Sequence, residues 1–319
     1  LDASKINQIY FVACGTAYHA SLYAQYLLRT WINQPIYCIS ASEFRYGNYR
    51  IDENTLCIFV SQSGETADTL AALKLSKENK AQTLSVTNVL GSSLARLSDF
   101  VLYTCAGPEI AVASTKAYTT QLVLLVCLCL KLASLCNGVV ENQNHMIDQL
   151  KQMPEVVEEM LQQEDKMAEF AKLLTNQKDA YFIGRQLDYL SVLEGALKLK
   201  EVSYVHADAY MAGELKHGPI ALIEKDTVVI ALATQPSVAQ KTISNILETV
   251  ARGAKVILIT SKNQNADGFD YVIRIPDVDP LLSCIPATVL LQELAYYVAK
   301  EKGCDVDKPR NLAKSVTVE

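Results

Sequence analysis

Leu56-Cys57-Ile58-Phe59-Val60-Ser61-Gln62-Ser63-Gly64-Glu65-Thr66 is the stretch around which the rest of the chain is read. Its first five residues form a short apolar run bounded by turn residues, the pattern of a buried strand. Beyond Thr66, the residues Ala67, Leu70, Ala71, Leu73, Lys74 and Leu75 carry helical spacing, with Ser63 and Thr66 placed to cap the first turn. A strand that breaks at Gly64 and restarts as a helix leaves backbone N–H groups without partners beside three hydroxyls, which suits an anion. The loop has no lysine and does not match GxxxxGK(S/T), so a nucleotide P-loop is excluded and a small phosphorylated molecule fits better. Ordinary turn and cap formers have the same composition, and the six residues from Ser61 to Thr66 alone leave both readings open.

The alternation continues on both sides. Gln8–Ala13 reads as a strand, Cys14-Gly15-Thr16 as a turn and Ala17–Trp31 as a helix. Ile36–Ser40 reads as a second strand, with helix expected from there to Tyr49. Further on come a helix to Lys80, strands at Thr83–Val86 and Phe100–Tyr103, and a long helix from about Ser114 to Leu135. Strands alternating with helices predict an α/β fold, a doubly wound parallel sheet covered on both faces. Cys14–Thr16 then leaves the sheet at the same carboxyl edge as Ser61–Thr66, which favours ligand contact over a plain tight turn. Val112-Ala113-Ser114-Thr115-Lys116 opens the long helix, either as a simple cap with a solvated lysine or as part of the same site.

The second half repeats the first. Tyr10-Phe11-Val12 returns as Tyr181-Phe182-Ile183, and Ile58-Phe59-Val60 as Val229-Ile230-Ala231, both at an offset of 171 positions. Leu84–Thr87 returns as Val256–Ile259, so two copies of one α/β unit are expected. The loop after Val60 corresponds to Thr234-Gln235-Pro236-Ser237, which has lost the glycine and one hydroxyl and gained a proline. Only the first copy keeps a phosphate loop. The expected divisions are 1–140, then 141–304 with a polar helical linker at its start, then a tail over 305–319.

With 319 residues, 50% of them hydrophobic and 20% charged, the chain is long enough for two such cores. A net charge of −6 with scattered basic residues excludes a general attraction to nucleic acid or acidic membrane. Nine cysteines without regular spacing, several in apolar runs, predict reduced thiols in a cytoplasmic protein. Four histidines with no HxH or HxxxH spacing argue against a metal site. The longest apolar run, Leu122–Leu130, stops at Lys131, short of the roughly 20 residues a bilayer needs, and reads as a core helix. No signal peptide is visible, and the start at Leu1 suggests a piece of a longer protein.

Three further places could carry chemistry. On a helix from Leu190 to Tyr204, the residues Leu190, Leu193, Leu197 and Tyr204 form an apolar stripe into which Glu201 falls, with Glu194 and Lys198 along one edge. A carboxylate so embedded should have a raised pKa, as a proton-transfer group near neutral pH requires; the spacings i,i+3 and i,i+4 also fit plain helix ion pairs, the favoured reading for Glu194. His217 lies in Gly213-Glu214-Leu215-Lys216-His217-Gly218-Pro219 and could exchange a proton with a sugar oxygen or be a surface residue. Lys314, in the tail, could reach a carbonyl as an amine if the tail is ordered.

Taken together, ACGTAYHA, SQSGET, AGPEIAVASTKA, EGALKLKE, GELKHGP and the closing DVDKPRNLAKSVTVE resemble the isomerase half of the glutamine-fructose-6-phosphate aminotransferases, or glucosamine-6-phosphate synthases, across essentially the whole chain. The resemblance implies two tandem sugar-isomerase (SIS) domains and a substrate of fructose 6-phosphate, with glucosamine 6-phosphate as product. It implies phosphate on Ser61, Gln62, Ser63 and Thr66, with Cys14, Gly15, Thr16, Val112 and Ser114 lining the site. Glu201 would move the proton between C1 and C2, Lys198 would assist at the C1 oxygen, His217 would open the ring from a partner subunit, and Lys314 would form an imine. The family needs no metal or other cofactor, works as a homodimer, and draws ammonia from an N-terminal glutaminase domain. Ala17 stands where the family often has serine, so one hydroxyl contact is expected to be missing. A sugar-phosphate sensor, or another SIS enzyme such as a deglycase or ketose isomerase, would share the phosphate loop but not Glu201 in its stripe or this tail, respectively.

Overall fold

The computed structural model describes residues 1–318. The chain forms two compact units, one of Leu1–Gln143 joined by the tail from Ala313, the other of Asn144–Leu312. In the front unit five parallel strands, β1 (Gln8–Ala13), β2 (Ile36–Ser40), β3 (Thr55–Ser61), β4 (Gln82–Thr87) and β5 (Phe100–Tyr103), lie in the order β2-β1-β3-β4-β5. Every residue of the central β3 is buried, which is why Leu56–Val60 within it is continuously apolar instead of alternating. The covering helices are α1 (Gly15–Trp31), α2 (Ala41–Phe44), α3 (Ala67–Glu78), α4 (Ser93–Leu97) and α5 (Lys116–Leu135).

The expected helix reaching Tyr49 is only the single turn α2. Gly47 and a left-handed Asn48, φ +22°, stop it, and the Tyr49 ring turns back to stack on Phe44 at 5.4 Å. The long helix expected from about Ser114 to Leu135 is α5, whose 20 residues, by length and composition alone, could cross a membrane. More than half of its apolar window is buried within the fold, where it packs on α1 and the Cys129 thiol donates to the Ala24 carbonyl at 3.6 Å.

The rear unit repeats this plan with β6 (Asp179–Gly184), β7 (His206–Met211), β8 (Val228–Ala233), β9 (Lys255–Ser261) and β10 (Tyr271–Ile275), in the order β10-β9-β8-β6-β7. Register corrects one offset. Phe11 pairs with Ile58 in front and Phe182 with Ile230 behind, so the counterpart of Ile58 is Ile230, one position beyond the reading by sequence. A one-residue slip would have turned every side chain of β8 to the wrong face. Helices α6 (Gln143–Leu161) and α7 (Glu164–Ala171) belong to this unit, apart from the first residue of α6. Met146, Met153, Met160 and Met167 recur every seventh position along them, all buried. The remaining helices are α8 (Leu187–Ser203), α9 (Ala239–Val250) and α10 (Cys284–Glu301).

On α10, Glu293 has a buried Oε2 with no hydrogen-bond partner among the described residues. Burial, reinforced by Glu164, pushes its pKa from 4.5 up to about 7. A carboxyl with a folded value above its unfolded one favours the fold most below the unfolded pKa, and that contribution is lost as pH rises through the folded value. Glu293→Gln is therefore expected to melt with the parent at about pH 5 and above it, by about 2–4 °C, at about pH 8. Thermal melts at the two pH values check this; a constant offset would contradict it.

Candidate active site

Three loops leave the front sheet at one edge. Ala13 at the end of β1 pairs with Val60, and Ser61 at the end of β3 pairs with Thr87, so the turns following β1, β3 and β4 emerge side by side at the carboxyl end, where open α/β sheets bind ligands. Cys14 is the extended residue before α1, and burial pushes its thiol pKa up, so it is not a ready thiolate. Gly15 follows at φ +55°.

The second loop is tightly built. Gly64 N–H donates to Ser61 Oγ at 3.1 Å, Ser61 Oγ lies 3.0 Å from Thr66 Oγ1, and Glu65 N–H donates to Ser63 Oγ at 3.2 Å. Gly64 takes φ +66°, and a Cβ there would collide with the Ser92 side chain, so only glycine lets the loop close on α4. From that side Ser93 N–H donates to Glu65 Oε1 at 2.7 Å and Leu94 N–H to the Gly64 carbonyl at 3.0 Å. The capping expected of Ser63 and Thr66 is not found: α3 has no side-chain cap, and its first N–H, on Ala67, donates instead to the Val316 carbonyl of the tail at 3.1 Å.

In the rear copy the corresponding loop is closed by a side chain of its own. At the positions of Gly15 and Ala17 it carries Gln186, left-handed at φ +53°, and Asp188. The buried Asp188 carboxylate accepts from Thr234 N–H at 2.8 Å, Thr234 Oγ1 at 2.5 Å and Gln235 N–H at 3.3 Å. Burial pushes its pKa up to about 6 against these three donors. An internal anion thus fills the rear loop. By strand register Gln62 and Ser63 are the front counterparts of Thr234 and Gln235, and their backbone N–H groups have no hydrogen-bond partner among the described residues. Ala17 has no group to offer them, a more telling departure than the loss of one hydroxyl contact.

Glu109, which sequence reasoning did not single out, organises the third loop. Its Oε1 accepts from Thr115 N–H at 2.8 Å and Ala117 N–H at 3.2 Å, capping α5 where Thr115 supplies no side-chain cap. Its Oε2 accepts from Ser114 Oγ at 3.0 Å and from Lys314 Nζ at 2.7 Å. Lys314 Nζ also reaches the Ala111 carbonyl, beside Val112, at 2.7 Å. Burial would raise the Glu109 pKa, but Lys314 and the two amides outweigh it and hold the carboxyl below its ordinary value. No local spacing rule covers a carboxylate capping a helix from six and eight residues upstream. The tail therefore ties two loops together, through Lys314 to Glu109 and through Val316 to Ala67.

In the rear unit, α8 exposes its residues differently from the expected stripe. Leu190, Leu193, Leu197 and Tyr204 are only partly buried, as is Glu201 with a side chain 20% exposed. The buried face instead holds Glu194 and Lys198. Lys198 Nζ lies 2.5 Å from Glu201 Oε2 and 3.4 Å from Glu194 Oε1. Burial would lower the Lys198 pKa, yet the two carboxylates outweigh it and keep it above the ordinary value. The embedding on which the expectation for Glu201 rested is thus replaced by an ion pair at the edge of the helix. His217 ends a 3-10 turn, Leu215–His217, and is exposed, as is Lys216.

The SIS domain family profile matches residues 3–131 and 173–298. The glutamine–fructose-6-phosphate aminotransferase (isomerizing) of Clostridium acetobutylicum is 52% identical, covering 99% of this chain and 52% of that protein. The enzyme of the same description from Thermococcus kodakarensis is 47% identical, covering 100% and 53%. The chain spans about half the length of the curated relatives it matches. Among solved structures, the C-terminal domain of glucosamine-fructose-6-phosphate aminotransferase from Francisella tularensis superimposes with a TM-score of 0.91 at 39% identity, covering 96% of this chain and 88% of that one.

Proposed function

This chain belongs to the SIS domain family, with the C-terminal domain of glucosamine-fructose-6-phosphate aminotransferase among its members, and from that membership we propose that it carries out the sugar half of the aminotransferase reaction. Its substrate is fructose 6-phosphate and, within a longer protein, ammonia supplied from glutamine by an N-terminal domain turns that sugar into glucosamine 6-phosphate. The observation that carries the reading is the pair of amides at Gln62 and Ser63 that have no partner among the described residues, set among the hydroxyls of Ser61, Ser63 and Thr66 where the rear copy holds a carboxylate.

In this reading the phosphate takes the open amides and hydroxyls at the start of α3, favoured further by the helix dipole. Cys14, Gly15, Thr16, Val112 and Ser114 line the sugar. His217, offered by the second subunit of a homodimer, passes a proton to the ring oxygen as the sugar opens. The Lys314 amine adds to the C2 ketone and water leaves, giving an imine that ammonia then displaces. Glu201 takes a proton from C1 and returns it at C2. Lys198, kept cationic by its two carboxylates, steadies charge that develops on the C1 oxygen. The chain works in the cytoplasm without nucleic acid or membrane partners.

Given fructose 6-phosphate alone, these 319 residues are expected to form glucose 6-phosphate, followed by a coupled dehydrogenase assay. Binding without any turnover would instead support a sugar-phosphate sensor.

A further inference from the structure

We propose that Glu109 is the positioning residue that docks the C-terminal tail and aims the Lys314 amine. Its carboxylate is 4% exposed and Lys314 28% exposed, so the pair sits largely out of water, where a charge-assisted hydrogen bond is strong. The geometry makes one oxygen serve the loop and the other the tail: Oε1 takes the α5 amides of Thr115 and Ala117, while Oε2 takes Ser114 and Lys314. Among the described residues Lys314 is its charged hydrogen-bond partner; Ser114 and the amides of Thr115 and Ala117 are neutral. Two residues further along, the Val316 carbonyl receives Ala67 N–H at the head of the helix that follows the phosphate loop. Lys314 and Val316 therefore form a strap fastened at Glu109, at the Ala111 carbonyl and at Ala67, of which the Glu109 fastening is ionic.

The docking itself depends only on these contacts; its catalytic meaning rests on the reading of Lys314 as the imine-forming amine. As a resting ammonium, Lys314 shares its proton with Glu109. For the amine to add to a ketone, that proton passes to Glu109, the nitrogen lone pair forms the bond to carbon as the C=O π pair moves to oxygen, and one proton of the nitrogen moves to that oxygen to give the carbinolamine. Loss of water, with a proton returned from Glu109, then leaves a protonated imine and the carboxylate restored.

Ala67 N–H reports the strap directly, because its acceptor belongs to the tail. In hydrogen exchange, Glu109→Gln, which keeps an oxygen for the α5 amides, is expected to speed exchange at Ala67 by about tenfold. Lys314→Gln, which also gives up the Ala111 carbonyl, should do at least as much, and the double variant should go no further than Lys314→Gln, since Glu109 reaches the tail through Lys314. Unchanged exchange in Glu109→Gln, or effects that add in the double variant, would overturn the docking role; addition is the result a purely helix-capping Glu109 would give. Borohydride trapping with fructose 6-phosphate supplies the second arm: adduct on Lys314 should form about tenfold more slowly in Glu109→Gln. Trapping as fast as in the parent overturns the aiming of the amine. If the exchange pattern holds but the parent forms no adduct, the strap stands and the chemistry assigned to Lys314 fails.

Discussion

Glu201→Gln is expected to lower conversion of fructose 6-phosphate to glucose 6-phosphate by about a thousandfold while leaving affinity for the sugar phosphate within about threefold. The amide keeps the volume and one oxygen of the carboxylate but cannot carry a proton between carbons. Lys198 retains Glu194 as an ion partner at 3.4 Å, so the buried cation on α8 is not abandoned and the helix should hold. Turnover by coupled assay, affinity by calorimetry and washout of the C1 hydrogen into heavy water separate the alternatives. Turnover within about fivefold of the parent would remove Glu201 from the chemistry.

Ala17→Asp is expected to weaken fructose 6-phosphate binding by about a hundredfold or more. It places in the front unit the side chain that fills the rear one, where Asp188 already occupies two backbone amides and a hydroxyl. A carboxylate bound to Gln62 and Ser63 would both remove the donors and repel a phosphate dianion, two effects that act in the same direction. Ala17→Asn, of similar size but neutral, should lose much less. Calorimetric titration of the three proteins decides the matter, with circular dichroism to check the fold; equal affinities would mean that the phosphate is held elsewhere.

What could be read in the sequence was local. A continuous apolar run ending in Ser-Gln-Ser-Gly reports burial on both faces and a change of backbone direction, both properties of neighbours along the chain, and the repeat of Tyr10-Phe11-Val12 needs no structure to be seen. What escaped depends on partners far apart. The register of β8 became visible only through its pairing with β6, because one extra residue in the intervening segment leaves no trace in apolar pattern. Glu109 meets Lys314 across 205 positions, and Asp188 meets Thr234 across 46. On α8 the periodicity could not say which face meets α10, and Glu194 and Lys198, not Leu190, Leu193 and Leu197, proved to lie on the buried face. The helix start at Ala67 looked like a case for a hydroxyl cap, and a returning tail supplied the acceptor instead.

The carboxylate of Asp188 amounts to a ligand covalently tethered to its own receptor. Its effective concentration stands far above any metabolite level, so the rear receptor is saturated from the moment the chain folds and never draws on the cellular pool. Duplication would otherwise have produced a decoy, a second acceptor sequestering sugar phosphate without turning it over. With the rear loop filled from within, the proposed phosphate site is left to the front loop alone, and titration of each polypeptide with sugar phosphate is expected to follow a simple hyperbola with one equivalent bound.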